Sequence, residues 1–171
     1  TGTGNVALGS YTLANGTDVS ETVAVGDSAL FHNAGAYNTA IGAKAMVDNT
    51  TGYSNTAVGF YTLPGNTDGY KNTALGAQAL FDNTSGFVNT AVGYQALTHN
   101  ESGAGNVAVG ANALNSNLTG GINVAIGNNA LFTNVTGDTN TVVGHNAMHD
   151  NVFGKNNTSV GSFSLYSNIG G

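Results

Sequence analysis

The side chains with the clearest chemical potential lie near the C-terminal end, where His145, His149 and Asp150 spell H-x-x-x-H-D. On a helix, two imidazoles four positions apart share a face, and with a carboxylate beside them they could seat a divalent metal. His32 and His99 are the remaining imidazoles, and Gly2-x-Gly4 followed by Gly9 has the glycine density of a phosphate-binding loop. Each reading depends on the element that carries the residues, and an internal repeat sets those elements.

An N-[TV]-A-[VIL]-G block closes on Gly9, Gly26, Gly42, Gly59, Gly76, Gly93, Gly110, Gly127, Gly144 and Gly161, with eight intervals of 17 residues and one of 16. The short unit ends HNAGAYN where the next ends DNTTGYSN. Four residues before the closing Gly stands Asn (Asn5, Asn38, Asn55, Asn72, Asn89, Asn106, Asn123, Asn140, Asn157), with Thr22 in the remaining unit. Three before is Val or Thr, two before is mostly Ala, and one before is Val, Ile or Leu. Three after is small and four after is Leu or Met. Seven after is Asn in nine units (Asn33, Asn49, Asn66, Asn83, Asn100, Asn117, Asn134, Asn151, Asn168).

In this frame the chemical motifs dissolve. His145, His149 and Asp150 fall on variable positions one, five and six after the Gly, where another unit has Ala77, Phe81 and Asp82. His32 and His99 share a column with Asp48, Asp82 and Asp150 and bring no fixed ligand set. The Gly-rich opening is two turns of the repeat, no Ser/His/Asp arrangement recurs, and the G-G-x-G-x-D unit of calcium-binding rolls is absent. The expectation is a non-enzymatic chain with no catalytic residues, no metal and no cofactor.

The units predict an all-β fold. N-T-A-V is rich in β-branched residues and closes on Gly, which suits a strand running into a tight bend. The x-A-L-x segment reads as a second, shorter strand, and D-N-T-S-G is turn chemistry. Gly and Asn recur too often for a helix. A short unit that cannot bury its own apolar face must stack on its neighbours. We therefore expect a single domain over residues 1–171, a parallel β-solenoid (β-roll) of ten 17-residue coils forming a rod roughly 45–50 Å long. No capping unit is evident, which predicts a segment of a longer fibre or a subunit stacking head to tail.

The two Asn columns read as structural ladders along the rod: Asn38, Asn55, Asn72, Asn89, Asn106, Asn123 and Asn140 in one, and Asn49, Asn66, Asn83, Asn100, Asn117, Asn134 and Asn151 in the other. Aligned amides can hydrogen-bond from coil to coil, and Asn tolerates the left-handed conformations of corners. Glycosylation is the rival explanation. Asn49, Asn83, Asn100, Asn117 and Asn134 begin N-x-S/T, as do Asn15, Asn156 and Asn157. Yet Asn persists at 33, 66, 151 and 168 without the sequon, so the ladder is the stronger reason for the column.

Composition narrows the partners. The 171 residues hold three lysines, no arginine and nine acids, for a net charge of −6, and no Cys. Without clustered cations there is no footprint for nucleic acid or an anionic membrane surface. No apolar run is long enough to span a bilayer, so no membrane insertion is expected. Consecutive apolar pairs such as Ala57-Val58 and Ala79-Leu80 imply that one face lines the coil while the other forms an apolar stripe along the rod. That stripe predicts a homo-oligomer. Tyr53, Tyr70 and Phe87 are expected in loops, as surface-binding aromatics for a glycan or as cover for the corners. A Thr column (Thr39, Thr56, Thr73, Thr90, Thr141, Thr158) raises ice binding, though Val6, Val23, Val107 and Val124 interrupt it.

The core N-[TV]-A-[VI]-G-x-x-A, as in NTAIGAKA (38–45), NTAVGYQA (89–96) and NVAVGANA (106–113), resembles the YadA-like head repeats of trimeric autotransporter adhesins over all ten units. Related repeats occur in phage tail-fibre-like proteins. The resemblance implies left-handed rolls assembled three side by side, and an extracellular or cell-surface role as a fibre or adhesin head that meets a host surface. The regular Leu after the Gly and the 17-residue unit depart from the commonest head pattern, and neither a heptad stalk nor a membrane anchor appears in these residues. The alternatives are a glycan-binding or ice-binding module and a phage tail-fibre segment.

Overall fold

The computed structural model describes residues 2–16 and 19–171. Ten three-residue strands make one parallel sheet in chain order: β1 (Val6–Leu8), β2 (Val23–Val25), β3 (Thr39–Ile41), β4 (Thr56–Val58), β5 (Thr73–Leu75), β6 (Thr90–Val92), β7 (Val107–Val109), β8 (Val124–Ile126), β9 (Thr141–Val143) and β10 (Thr158–Val160). Each strand pairs with the same three columns of the next, as in Thr73↔Thr90, Ala74↔Ala91 and Leu75↔Val92. The chain is a β-solenoid with one unit per coil, and no helix occurs among the described residues.

The shortened unit keeps this register, with Ala24 opposite Ala40. Its missing residue falls between the buried Asn and the Gly of the following turn. Asn33 Nδ2 reaches the carbonyl of Gly35 two residues on, whereas Asn49 Nδ2 reaches that of Gly52 three residues on.

Each strand is short because its closing Gly turns the chain at once. Gly93 has φ 136°, and a Cβ placed there would sit 2.5 Å from the carbonyl oxygen of Gly110 in the next coil. No side chain fits at that spacing, so this column admits only Gly.

The x-A-L-x segment is not the second strand that the sequence suggests. Positive φ recurs at every second residue, 59° at Gln78 and 52° at Leu80, and the chain curls instead of extending. Ala79 and Leu80 therefore both point inward, which the alternation of an extended strand forbids. The outer apolar stripe expected from this segment does not exist; only β1–β10 supply one. The curl remains hydrogen-bonded between coils: Gln78 N donates to Phe60 O of the preceding coil, and Leu80 N donates to Ala96 O of the following one.

The interior has an apolar half and an amide half. A typical coil contributes two alanines and one Leu to the apolar half, such as Ala91, Ala96 and Leu97, all fully buried. Alanine keeps the coil narrow and Leu fills the remaining width. The two Asn columns fill the other half, and every buried polar side chain among the described residues is Asn, Thr or Ser.

The ladder asparagines do not occupy the left-handed corners expected of them. Positive φ falls instead on Leu and Met of the curl and on the residue before the first Asn column, including Val88, Ile122 and Thr139. A β-branched residue in this region costs about 1–3 kcal/mol, and inter-coil hydrogen bonding such as Ile122 N to Ala104 O holds it there. Ile122 is exposed, so little packing depends on it. Ile122→Asn is expected to raise stability by about 1 kcal/mol and the melting temperature by a few degrees, read by thermal unfolding.

Candidate interaction face

The amide half of the core fixes the spacing of everything on the surface. In the column seven after the Gly, from Asn49 onward, each Nδ2 donates to the Oδ1 of the preceding coil's Asn, as with Asn83 to Asn66 (2.9 Å), Asn100 to Asn83 (2.8 Å), Asn117 to Asn100 (2.7 Å) and Asn134 to Asn117 (2.9 Å). Asn49, Asn66 and Asn151 take the same place. The same amide also donates to the turn glycine of its own coil, Asn100 to Gly103 O at 3.0 Å.

The column four before the Gly works differently. Its side-chain oxygen accepts from backbone: Asn55 N donates to Asn38 Oδ1, Asn72 N to Asn55 Oδ1, Asn89 N to Asn72 Oδ1 and Asn106 N to Asn89 Oδ1, at 2.9–3.0 Å. Asn123 and Asn140 repeat the bond. Their Nδ2 groups donate to a turn glycine one coil on, Asn89 to Gly103 O at 2.8 Å. Between coils, one column therefore links side chain to side chain and the other links side chain chiefly to backbone, with an added Nδ2 to Oδ1 contact of 3.0–3.1 Å at Asn123, Asn140 and Asn157. Among the described residues no buried side-chain polar atom lacks a partner.

With Ala inward, the strand residues on either side of it point outward. They form two files along β1–β10, Val or Thr in one and Val, Ile or Leu in the other, and no charged residue occurs in either. Leu8 is 67% exposed, Leu75 46% and Val160 71%. Tyr37, Phe60, Val88, Tyr94 and Ile122 add exposed apolar surface on the flanks, where Glu21, Asp27 and Lys71 also stand. At the ordinary strand spacing and rise this face is about 40 Å long and 15–20 Å wide, roughly the 800 Å² that each partner contributes to a standard interface.

The aromatics singled out from sequence come together, but on each other. Tyr53 and Tyr70 stack with centroids 5.1 Å apart and planes 1° from parallel, and Phe87 follows Tyr70 at 4.9 Å and 6°. Their faces cover one another, so only the outer faces of Tyr53 and Phe87 are open to a sugar ring. Farther along the same column Lys155 pairs with Asp138 at 2.6 Å, and Asp138 also accepts from Gly121 N.

The histidines pair singly. His32 meets Asp48 at 2.8 Å, His99 meets Asp82 at 2.6 Å, and His149 meets Asp150 at 2.6 Å while lying between the rings of Phe132 and Tyr166. No three His, Asp or Glu side chains among the described residues converge as a metal would require. His149 and Asp150 are neighbours in sequence, but the His32–Asp48 and His99–Asp82 contacts between neighbouring units carry no signature in a single unit; only the superposed columns place their members side by side.

No known protein family, curated protein or solved structure matches this chain.

Three outcomes follow for the polar contacts. Asn100→Leu removes the donor to Asn83 Oδ1 and the acceptor of Asn117 Nδ2 in a buried setting, and is expected to cost about 2–5 kcal/mol by urea denaturation. The exposed Asn128→Ala should stay within about 0.5 kcal/mol. The hydrogen bond from Lys155, then that from Gly121 N–H, holds the Asp138 carboxyl below its ordinary value. A depressed folded value means that this pair stabilises the fold above the unfolded value, about pH 4, and that the contribution is lost as pH falls through the folded value. Asp138→Asn should therefore show a smaller loss of melting temperature between neutral and strongly acidic pH than the parent chain.

Proposed function

We propose that this chain is a non-catalytic structural module of an extracellular fibre or adhesin head, in which copies associate side by side through the β1–β10 face. The observation that carries the reading is the pair of charge-free files running the whole length of the sheet. An exposed apolar surface of this extent is uncommon on a chain that works alone, and burying it in a second copy removes it from water. The resemblance of the N-T-A-V-G units to trimeric adhesin heads favours three copies and a cell-surface setting. A repetitive rod with its charges off this face suits a spacer that presents something else, and any host-surface or glycan contact is assigned to its flanks.

Ice binding is the second reading. It is favoured by Thr39, Thr56, Thr73 and Thr90, which stand in register on four consecutive strands and offer evenly spaced hydroxyls beside methyl groups. Both readings use the same face, and they predict opposite states for it in solution.

Sedimentation equilibrium at low micromolar concentration separates them. The parent chain should sediment as an oligomer without thermal hysteresis, and Leu75→Asp with Val92→Asp should give a monomer with an unchanged circular dichroism spectrum. A monomeric parent chain would remove the self-association reading, and hysteresis in that monomer would establish the ice-binding one.

A further inference from the structure

Five acceptor sequences for N-glycosylation coincide with the side-chain ladder: Asn49-Thr50-Thr51, Asn83-Thr84-Ser85, Asn100-Glu101-Ser102, Asn117-Leu118-Thr119 and Asn134-Val135-Thr136. In each, the nitrogen that would carry the sugar is fully buried and spends its two hydrogens on the fold, one to the preceding Asn Oδ1 and one to a turn Gly carbonyl. A glycan replaces one of those hydrogens with a bulky polar group that has no space in the core. The third residue of each sequence, Thr51, Ser85, Ser102, Thr119 or Thr136, is exposed and lies outside the ladder. Asn156-Asn157-Thr158 is different: the Asn156 side chain is exposed and lies outside both ladders.

We infer that folding and N-glycosylation of this chain are mutually exclusive at Asn49, Asn83, Asn100, Asn117 and Asn134, and that Asn156 alone among these six accepts a glycan on the folded protein. Sugar added to the nascent chain at any of the five sites blocks coil stacking, because one modified Asn breaks the ladder on both sides of itself. Completed folding closes all five sites together. The chain is thus suited to synthesis and export by a route in which no N-glycosyltransferase meets it unfolded. The inference rests on the amide geometry and is independent of the function proposed above.

A soluble N-glucosyltransferase that modifies N-x-S/T provides the test, used in two arms on the full chain. Added to purified folded protein, it should place glucose on Asn156 and on none of the five ladder residues, as read by peptide mass spectrometry. Co-expressed during synthesis, it should leave ladder-modified chains only in the insoluble fraction. The five-fold variant Thr51→Ala, Ser85→Ala, Ser102→Ala, Thr119→Ala and Thr136→Ala keeps every ladder Asn, and should restore soluble yield under co-expression to that seen without the enzyme. Soluble protein with a native melting temperature and glucose on any ladder Asn would overturn the inference. So would glucose entering the five sites after folding, an unmodified Asn156 on folded protein, or no glucose on the five in the total co-expressed chain.

Discussion

The buried side-chain amide is the constraint from which the rest of this structure follows. An Asn placed out of water must satisfy two donors and an acceptor, and here the partner is chiefly the same residue one coil away. That requirement is met only if successive units superpose with no offset along the coil. Registered amides then bring strand over strand and Leu over Leu. The core is thin, with two alanines and one Leu in a typical coil, so apolar burial per coil is modest and the amide columns contribute much of what specifies the stack.

Exact superposition has consequences at the surface as well as inside. The glycine that closes each strand from β1 to β9 must remain free of a Cβ because the next coil's carbonyl occupies that space. The side chains flanking the buried Ala must repeat along the outside, since the strand between two inward turns is only three residues long. The outer face is therefore a by-product of the stacking rule: its residues form files whatever their identity. What is particular to this chain is that those files are apolar or hydroxylated throughout, while acids, lysines and histidines lie elsewhere. Lateral association through that face would place the sheet of one copy against another without burying a charge from either central file.

The same geometry explains why the chemically suggestive residues assemble no site. A column places like positions next to one another along the axis, so histidines and carboxylates meet as axial pairs. His99 with Asp82 and His32 with Asp48 are such pairs, and convergence of three groups on one point would need residues from different columns to turn toward one another. Aromatics in a column likewise stack face to face, as Tyr53, Tyr70 and Phe87 do, and use up the surfaces that a ligand would need.

Period, parallel stacking and the Gly that ends each strand were legible in the sequence, because each leaves a residue type at a fixed phase of the repeat. The acceptor sequences at Asn49, Asn83, Asn100, Asn117 and Asn134 were legible too, but not their burial. The tertiary structure decided three further things. It made the Ala-Leu segment a curl with left-handed residues, since φ at Gln78 and Leu80 is set by inter-coil hydrogen bonding and not by their own preference. It gave the two Asn columns different partners between coils, side-chain oxygens in one and chiefly backbone groups in the other, a distinction invisible in two columns of the same residue. And it chose which apolar residues face outward. Alternation along a strand predicts opposite faces for adjacent side chains, but adjacent residues in a left-handed curl can share one, and only the folded backbone shows which rule applies to each pair.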